Sequence, residues 1–322
     1  MVDSLSIVIP VYNSQETLAD LLAQLAGVLP DLAPNYEVIL VNDGSRDQSW
    51  KTIVQLAREY PWLVGINLMR NYGQHNALLC GVREAQYAVI VTMDDDLQHP
   101  PGEIYKLLDK LQEGFDVVYG LPEKLPHDWW RNWFSLFTKR VLAYVMGIKT
   151  IRDIGAFRAF RSYLRKAFEN YQAPDIILDV LLSWGTTQFA TTTVNQASRQ
   201  VGHSNYNFSR LVQVAMLILT GYSTAPLRFA SMLGFMFTIF GIAVFLYVLG
   251  VYFIHGSIPG FPFLASIITL FSGVQLFALG LIGEYLARVF DRSMERPTYV
   301  IDEQIKYPEA APVGEIVDSW EK

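Results

Sequence analysis

The chain is short of cysteine and of charge, and each shortage excludes something. Cys80 is the single cysteine in 322 residues, so no intrachain disulfide can form. Asp and Glu outnumber Lys and Arg by 31 to 25, giving a formal net charge of −6. A general nucleic-acid binder needs a basic face, so that class of partner is set aside. Neither G-x-G-x-x-G nor a Walker A sequence occurs, which removes the common dinucleotide and P-loop arrangements. The histidines, His75, His99, His127, His203 and His255, are scattered without the paired spacing of a zinc site. The opening "MVDSLSIVIP" lacks a basic start and a cleavage site, so no secretory signal is expected and the N-terminal part is expected to stay cytosolic.

Charged residues make up 17% of the sequence and hydrophobic residues 51%, and the imbalance is concentrated. Phe229 to Ile254 carries no charge, and neither does Gly256 to Gly283. Each run exceeds the ~20 apolar residues that cross a bilayer. Two transmembrane helices are expected, joined by "HGSIPGFP". Arg228 precedes the first, and Arg288, Arg292 and Arg296 follow the second. The positive-inside rule then places both flanks in the cytoplasm. The expected organisation is a cytosolic unit over 1–210, a juxtamembrane helix over 211–225, a two-helix hairpin over 226–290, and a cytosolic tail over 291–322 with a short strand near "RPTYVIDEQI". Within the first unit, "HDWWRNWFSLFTKRVLAYVMG" (127–147) mixes aromatic and basic residues as an interfacial helix does. "RLVQVAMLILTGYSTAPLR" has 17 uncharged residues between its arginines and reads as a helix lying against the membrane, with a third span as the alternative.

The first 120 residues alternate strand and helix. Strands are expected over Leu5–Tyr12, Leu63–Arg70, Tyr87–Met93 and Phe115–Gly120, and a strand running into a turn over Tyr36–Ser45. Helices are expected over Gln15–Leu29 (with Ser14 as its cap), Asp47–Tyr60, Gln74–Ala85 and Gly102–Gly114. Near-continuous apolar strands between amphipathic helices predict an α/β fold with a mostly parallel, Rossmann-like sheet covered by helices. Ligands of such sheets bind beyond the carboxyl ends of the strands. Asn42–Asp43–Gly44 and Asp94–Asp95–Asp96 both fall there.

Three adjacent acids at a strand end call for a positive partner, because like charges repel and unpaired charges are costly to bury. In an extended chain, residues i and i+2 share a face. Asp94, Asp96 and Gln98 are therefore expected to converge, with Asp95 turned the other way. Three hard oxygen donors suit Mg²⁺ or Mn²⁺ bridging a diphosphate. The spacing alone fits a solvated acidic turn equally well.

The segments "SIVIPVYN", "VNDGSRD", "RNYGQHNALLCG", "MDDDLQHPP", "DIGAFRAF", "RQVGHSNYNFSR" and "TAPLR" recur in the order seen in a known group. The chain resembles the membrane glycosyltransferases of family 2 that load a sugar onto a polyprenyl phosphate, the dolichyl-phosphate mannose synthase and bactoprenol glucosyltransferase type. "RNYGQH" with "DLQHPP" is most similar to the undecaprenyl-phosphate 4-deoxy-4-formamido-L-arabinose transferases. The resemblance implies a GT-A fold, a nucleotide-diphosphate-sugar donor, a divalent cation, a polyprenyl phosphate acceptor, and a homo-oligomer such as a tetramer. It assigns the nucleotide to Pro10, Tyr12, Asp43, Asp94 and Asp95, and the cation to Asp94, Asp96 and Gln98, with Asp96 foremost. It assigns the acceptor phosphate to Arg131, Ser135, Lys139, Arg199 and Ser204. Asp153 matches an acid with a catalytic role in relatives; the plainer reading is a turn acid paired with Arg152 or Arg158. The implied chemistry is inverting attack by a lipid phosphate oxygen, assisted by Arg131, Asp153 and Asp96.

The departures from the pattern are specific. Ser14 stands where relatives commonly have Glu, and Asp95 where they have Ala. "LPEK" follows the "FDVVYG" strand where an Arg is usual, and Asn205 replaces a lysine. A processive polysaccharide synthase shares the acidic motifs, but its Q-x-x-R-W sequence is absent. A non-catalytic nucleotide-sugar sensor would not require Asp94, Asp96, Asp153 and Arg131, all of which are present. UDP is the favoured donor nucleotide and GDP its competitor; the sugar is not fixed by the sequence.

Overall fold

The structure, a computed structural model, describes residues 2–122, 155–173, 176–196, 222–255 and 260–306. The interfacial segment 127–147, most of the juxtamembrane segment 211–225, and Arg131, Ser135, Lys139, Asp153, Arg199 and Ser204 lie outside the described residues. The chain divides into two compact units, Met1–Asn205 with Arg296–Lys322, and Tyr206–Glu295.

The first unit is built on one mixed sheet. Its elements are β1 (Ser4–Val11), α1 (Leu18–Leu32), β2 (Asn35–Asn42), α2 (Ser49–Glu59), β3 (Leu63–Leu68), α3 (Gln74–Glu84), β4 (Val89–Thr92), α4 (Ile104–Gln112), β5 (Val117–Pro122), β6 (Arg158–Arg161), α5 (Leu178–Gly185) and β7 (Phe189–Val194). The second unit contributes α6 (Ala225–His255) and α7 (Phe261–Ser293), and β8 (Ile301–Lys306) belongs again to the first. Strand order is β7-β5-β6-β4-β1-β2-β3-β8. Strands β1 to β4 run parallel, as does β5 with β7, while β6 and β8 are antiparallel to their neighbours.

The central strands are apolar on both faces because helices cover both. Leu5, Ile7, Val8, Ile9 and Val11 of β1 are fully buried. Helix α1 buries Leu18, Leu21, Leu22, Leu25 and Leu29, a single stripe at helical spacing, and α4 does the same with Ile104, Leu107, Leu108 and Leu111. Each such side chain contributes about 1.5–3 kcal/mol of burial.

The tail strand β8 joins the sheet at its β3 edge. It pairs with β3 of its own chain, Val64 opposite Lys306 through Asn67 opposite Glu303. Trp50 Nε1 donates to Glu303 Oε2 at 3.1 Å and Asn67 Nδ2 donates to Asp302 Oδ2 at 3.1 Å, so polar side chains fix the register.

Helices α6 and α7 form an antiparallel hairpin. Phe237 meets Phe271 edge-on at 5.7 Å, and Tyr285 Oη donates to Ser223 O at 2.6 Å. Two stretches, Ala225–Ile254 and Phe271–Ser293, are long and apolar enough to cross a membrane. Unlike a core helix, they leave their apolar side chains exposed, Phe253 at 81% and Leu276 at 73%.

Candidate active site

The candidate site is the carboxyl edge of β1, β2 and β4. The strand pairing stops unevenly there. Strand β4 pairs with β1 only as far as Thr92 opposite Val8, whereas β2 continues to Asn42 opposite Val11. Val8 O accepts Met93 N and Val11 O accepts Asp43 N. By alternation the Pro10 nitrogen faces the β4 side, just past the last rung, where a missing N–H costs nothing. Beyond it the chain turns through Tyr12, which is 44% exposed, and Asn13, whose φ is 55°.

Asp43 is buried at the end of β2. Its two oxygens accept the backbone N–H groups of Tyr72 at 2.7 Å and Gly73 at 2.8 Å. Burial raises its pKa, and these two hydrogen bonds oppose the rise. Gly44 follows at φ +61°, and a Cβ there would lie 2.5 Å from the backbone of Arg70 and Asn71. The "NDG" turn and the Arg70–Gly73 turn are therefore one packed unit, and only glycine allows that approach. The resemblance places Asp43 against the nucleotide; in the structure its carboxylate anchors the neighbouring turn.

The acid run does not keep the extended geometry expected of it. The chain bends over Asp95–Leu97, and Leu97 takes φ 60° with its side chain in the core. The three carboxylates turn to three different partners. Asp94 Oδ1 accepts Gln74 Nε2 at 2.7 Å. Asp95 Oδ2 accepts Ser14 Oγ at 2.5 Å and Tyr12 N at 3.3 Å. Asp96 Oδ1 accepts Gln98 N at 3.1 Å. Gln98 Oε1 accepts Gln196 Nε2 at 2.9 Å. The left-handed Leu97 interrupts the extended run between Asp96 and Gln98.

Ser14 and Asp95, two departures from the family pattern, thus touch one another. This also corrects the expected helix start. Ser14 does not cap an amide of α1, which begins at Leu18; its hydroxyl is engaged by Asp95. Burial is the main cause that lifts the Asp95 pKa to about 6, the Asp96 charge adds to it, and the Ser14 and Tyr12 hydrogen bonds oppose it.

A buried polar cluster lies behind the acids. Arg158 on β6 is 1% exposed and pairs with Asp179 in the first turn of α5. Arg158 Nε donates to Thr92 Oγ1 at 2.9 Å, and Tyr119 Oη donates to Asp179 Oδ1 at 2.8 Å. Asp94 also acts on Arg158 electrostatically, so part of the positive charge that the acids call for is a fixed guanidinium. Leu178 N donates to His75 Nδ1 at 3.5 Å, and burial holds His75 toward its neutral form. The first turn of α3 therefore carries Gln74 to Asp94 and His75 to α5. His99 stacks on Phe157 at 5.0 Å, its Nδ1 buried without a hydrogen-bond partner, and burial lowers its pKa against the pull of Asp96.

Arg158, considered from sequence as a partner for Asp153, is committed to Asp179. Sequence reasoning missed Asp179, Gln74, Thr92 and Tyr119 as members of this cluster. "DIGAFRAF" contains Arg158, but no motif marks Asp179.

Among the described residues no three His, Cys, Asp or Glu side chains are gathered into a metal cage. Asp94 and Asp96 are nonetheless hard oxygen donors at one sheet edge. That set fits a small divalent cation of the kind held by one or two carboxylates, with water and substrate phosphates completing the shell.

Comparison with known proteins agrees with this architecture. Residues 6–172 match the family described as glycosyl transferase family 2, and the chain belongs to that family. Its mixed sheet is GT-A-like. Among solved structures it is similar to glucosyl-3-phosphoglycerate synthase from Mycobacterium tuberculosis in complex with Mn²⁺ and UDP-glucose. There the TM-score is 0.51 and the identity 16%, over 68% of this chain and 77% of that one. The same enzyme with Mn²⁺, UDP and phosphoglyceric acid gives a TM-score of 0.51 at 18% identity, over 68% and 76%. At these identities the likeness is one of fold. The chain is a glycosyltransferase.

Proposed function

We propose that this glycosyltransferase moves a sugar, with inversion, from a nucleotide-diphosphate sugar to a polyprenyl phosphate at the cytoplasmic face of a membrane. UDP is the favoured donor nucleotide and undecaprenyl phosphate the favoured acceptor. One observation carries the reading: a family 2 unit shares its chain with two long helices whose apolar side chains lie exposed. A lipid acceptor brings a phosphate to the membrane surface, where an anchored enzyme meets it.

Asp96, with Asp94 and Gln98, would hold Mg²⁺ or Mn²⁺ beside the donor diphosphate; Mn²⁺ with a uridine nucleotide in the solved relatives supports this. When bound, the cation neutralises charge on the departing nucleotide diphosphate. Pro10 and Tyr12 border the nucleotide, and Asp43 serves it through the Arg70–Gly73 turn that it anchors. Arg131, Ser135, Lys139, Arg199 and Ser204 receive the acceptor phosphate, arginine being suited to two-point contact with phosphate oxygens. A phosphomonoester has its second pKa near ~6 and is mostly dianionic at neutral pH, so attack needs no strong general base. The phosphate oxygen bonds to the anomeric carbon as the bond to the diphosphate breaks, and Asp153 orients the sugar. Both termini are cytoplasmic in this reading, and the protein assembles as a homo-oligomer.

The test is transfer by the purified full chain in detergent with Mn²⁺ or Mg²⁺, a panel of UDP- and GDP-sugars, and undecaprenyl phosphate. A labelled, chloroform-soluble product is expected. Transfer only to a soluble phosphate such as 3-phosphoglycerate would refute the lipid acceptor. Metal-dependent nucleotide binding without any transfer would favour a sensor.

A further inference from the structure

We propose that Asp95 is a positioning residue that clamps the loop after β1 into the shape that receives the donor nucleotide. The role rests on the donor reading above. Residues 12–15 bridge two strand ends. On the β2 side, Asn13 N donates to Ser45 Oγ at 3.0 Å, Arg46 N donates to Asn13 Oδ1 at 2.8 Å, Ser14 N donates to Ser49 Oγ at 2.9 Å, and Gln15 N donates to Asp47 Oδ2 at 3.2 Å. On the β4 side, both described ties end on one atom, Asp95 Oδ2, which accepts Tyr12 N at 3.3 Å and Ser14 Oγ at 2.5 Å.

The loop needs such a tie. Asn13 sits at φ 55°, a left-handed turn conformation that asparagine tolerates and that takes the chain out of the strand. Strand β1 has also lost its β4 neighbour by this point, so no ladder hydrogen bond holds the β4 flank. A carboxylate reaching across the gap replaces the missing rungs, and hydrogen bonds to a charged acceptor are stronger than neutral ones. Tyr12, half exposed on that loop, is the side chain whose place the clamp sets. Asp95 therefore acts through Tyr12 and Ser14 rather than by touching the nucleotide.

The pair can be inverted. In the double variant S14D/D95S, the acceptor and donor of the 2.5 Å hydrogen bond exchange positions. The experiment compares the full chain in detergent as wild type, Asp95→Ala, Asp95→Asn and S14D/D95S. It reads UDP and GDP affinity with Mn²⁺ by calorimetry, KM and kcat for the nucleotide sugar, and amide hydrogen exchange over residues 12–18. Asp95→Ala is expected to weaken nucleotide affinity and raise KM by about tenfold, the scale of one lost charge-assisted hydrogen bond, with kcat less affected. Exchange over 12–18 should quicken. Asp95→Asn keeps an oxygen acceptor and should retain most of the affinity. The inverted pair should recover it to within about threefold.

Unchanged exchange in Asp95→Ala would overturn the clamp. Faster exchange with undiminished affinity would overturn the positioning role. An inverted pair no better than Asp95→Ala would show that the acid itself, rather than the tie, is needed. Wild type that binds neither UDP nor GDP would refute the donor reading and this role with it. A loss seen only in Asp95→Ala leaves the donor reading standing.

Discussion

Replacing Asp179 with Leu would leave Arg158 as a buried guanidinium without its carboxylate. Arg158 is 1% exposed and Asp179 5%, so water cannot substitute. Tyr119 Oη, donating to Asp179 at 2.8 Å, loses its acceptor in the same step. Breaking a buried ion pair from one side costs about 3–5 kcal/mol. For a folded unit the size of Met1–Asn205, 1 kcal/mol shifts the melting temperature by about 2–4 °C. Asp179→Leu should therefore melt roughly 6–20 °C below wild type when followed by intrinsic fluorescence in detergent. Removing both charges, R158M/D179L, should recover most of the loss, because a buried pair is often no more stable than apolar residues of similar volume. Adding Tyr119→Phe should recover the rest by deleting an orphaned hydroxyl worth about 1–3 kcal/mol. A single variant melting within about 2 °C of wild type, or a cycle in which the two single losses simply add, would refute the pairing as an energetic unit.

The raised Asp95 pKa gives a signed pH dependence. A carboxyl that titrates near 6 in the fold and near 4 when unfolded stabilises the fold fully below about pH 4, and that stability is lost as pH rises past about 6. In metal-free protein, Asp95→Asn should thus match wild type at the acidic end and gain up to about 3 kcal/mol by pH 7.5; a pH-independent difference in denaturation midpoints would contradict this. Gly44→Ala should destabilise by about 2 kcal/mol or more, since φ +61° and a 2.5 Å approach to backbone admit no methyl; an unchanged melting temperature would remove the packed-turn account. Asp96→Ala should lower transfer by more than about 100-fold, and chelation by EDTA should do the same reversibly to wild type; activity surviving both would exclude a cation-assisted departure.

The first half of the fold was legible because its signals are local. Apolar runs at strand length alternate with stripes at helical spacing from Leu5 to Gly120, and the strands and helices there formed within a few residues of expectation. Strand β6, helix α5 and strand β7 were not read, because "RAFR" and "LDVLLSWG" are too short for a period to emerge. At the site, residue types and strand-end positions were legible but partners were not. Asp95 and Ser14 are 81 positions apart, and Arg158 and Asp179 meet only once α5 docks. The convergence of Asp94, Asp96 and Gln98 was argued from an extended chain, which the left-handed Leu97 interrupts. Nothing in the sequence of a leucine announces that conformation.

The antiparallel partner of β3 is supplied by Ile301–Lys306, more than 230 positions downstream and after both apolar helices. During synthesis, the β3 flank must therefore wait, with its hydrogen-bonding groups open, until the helical hairpin has been made and β8 has emerged. Maturation of the catalytic unit is thereby made contingent on completion of the apolar hairpin, and a nascent chain arrested before residue 301 would carry a sticky, unfinished border prone to self-association.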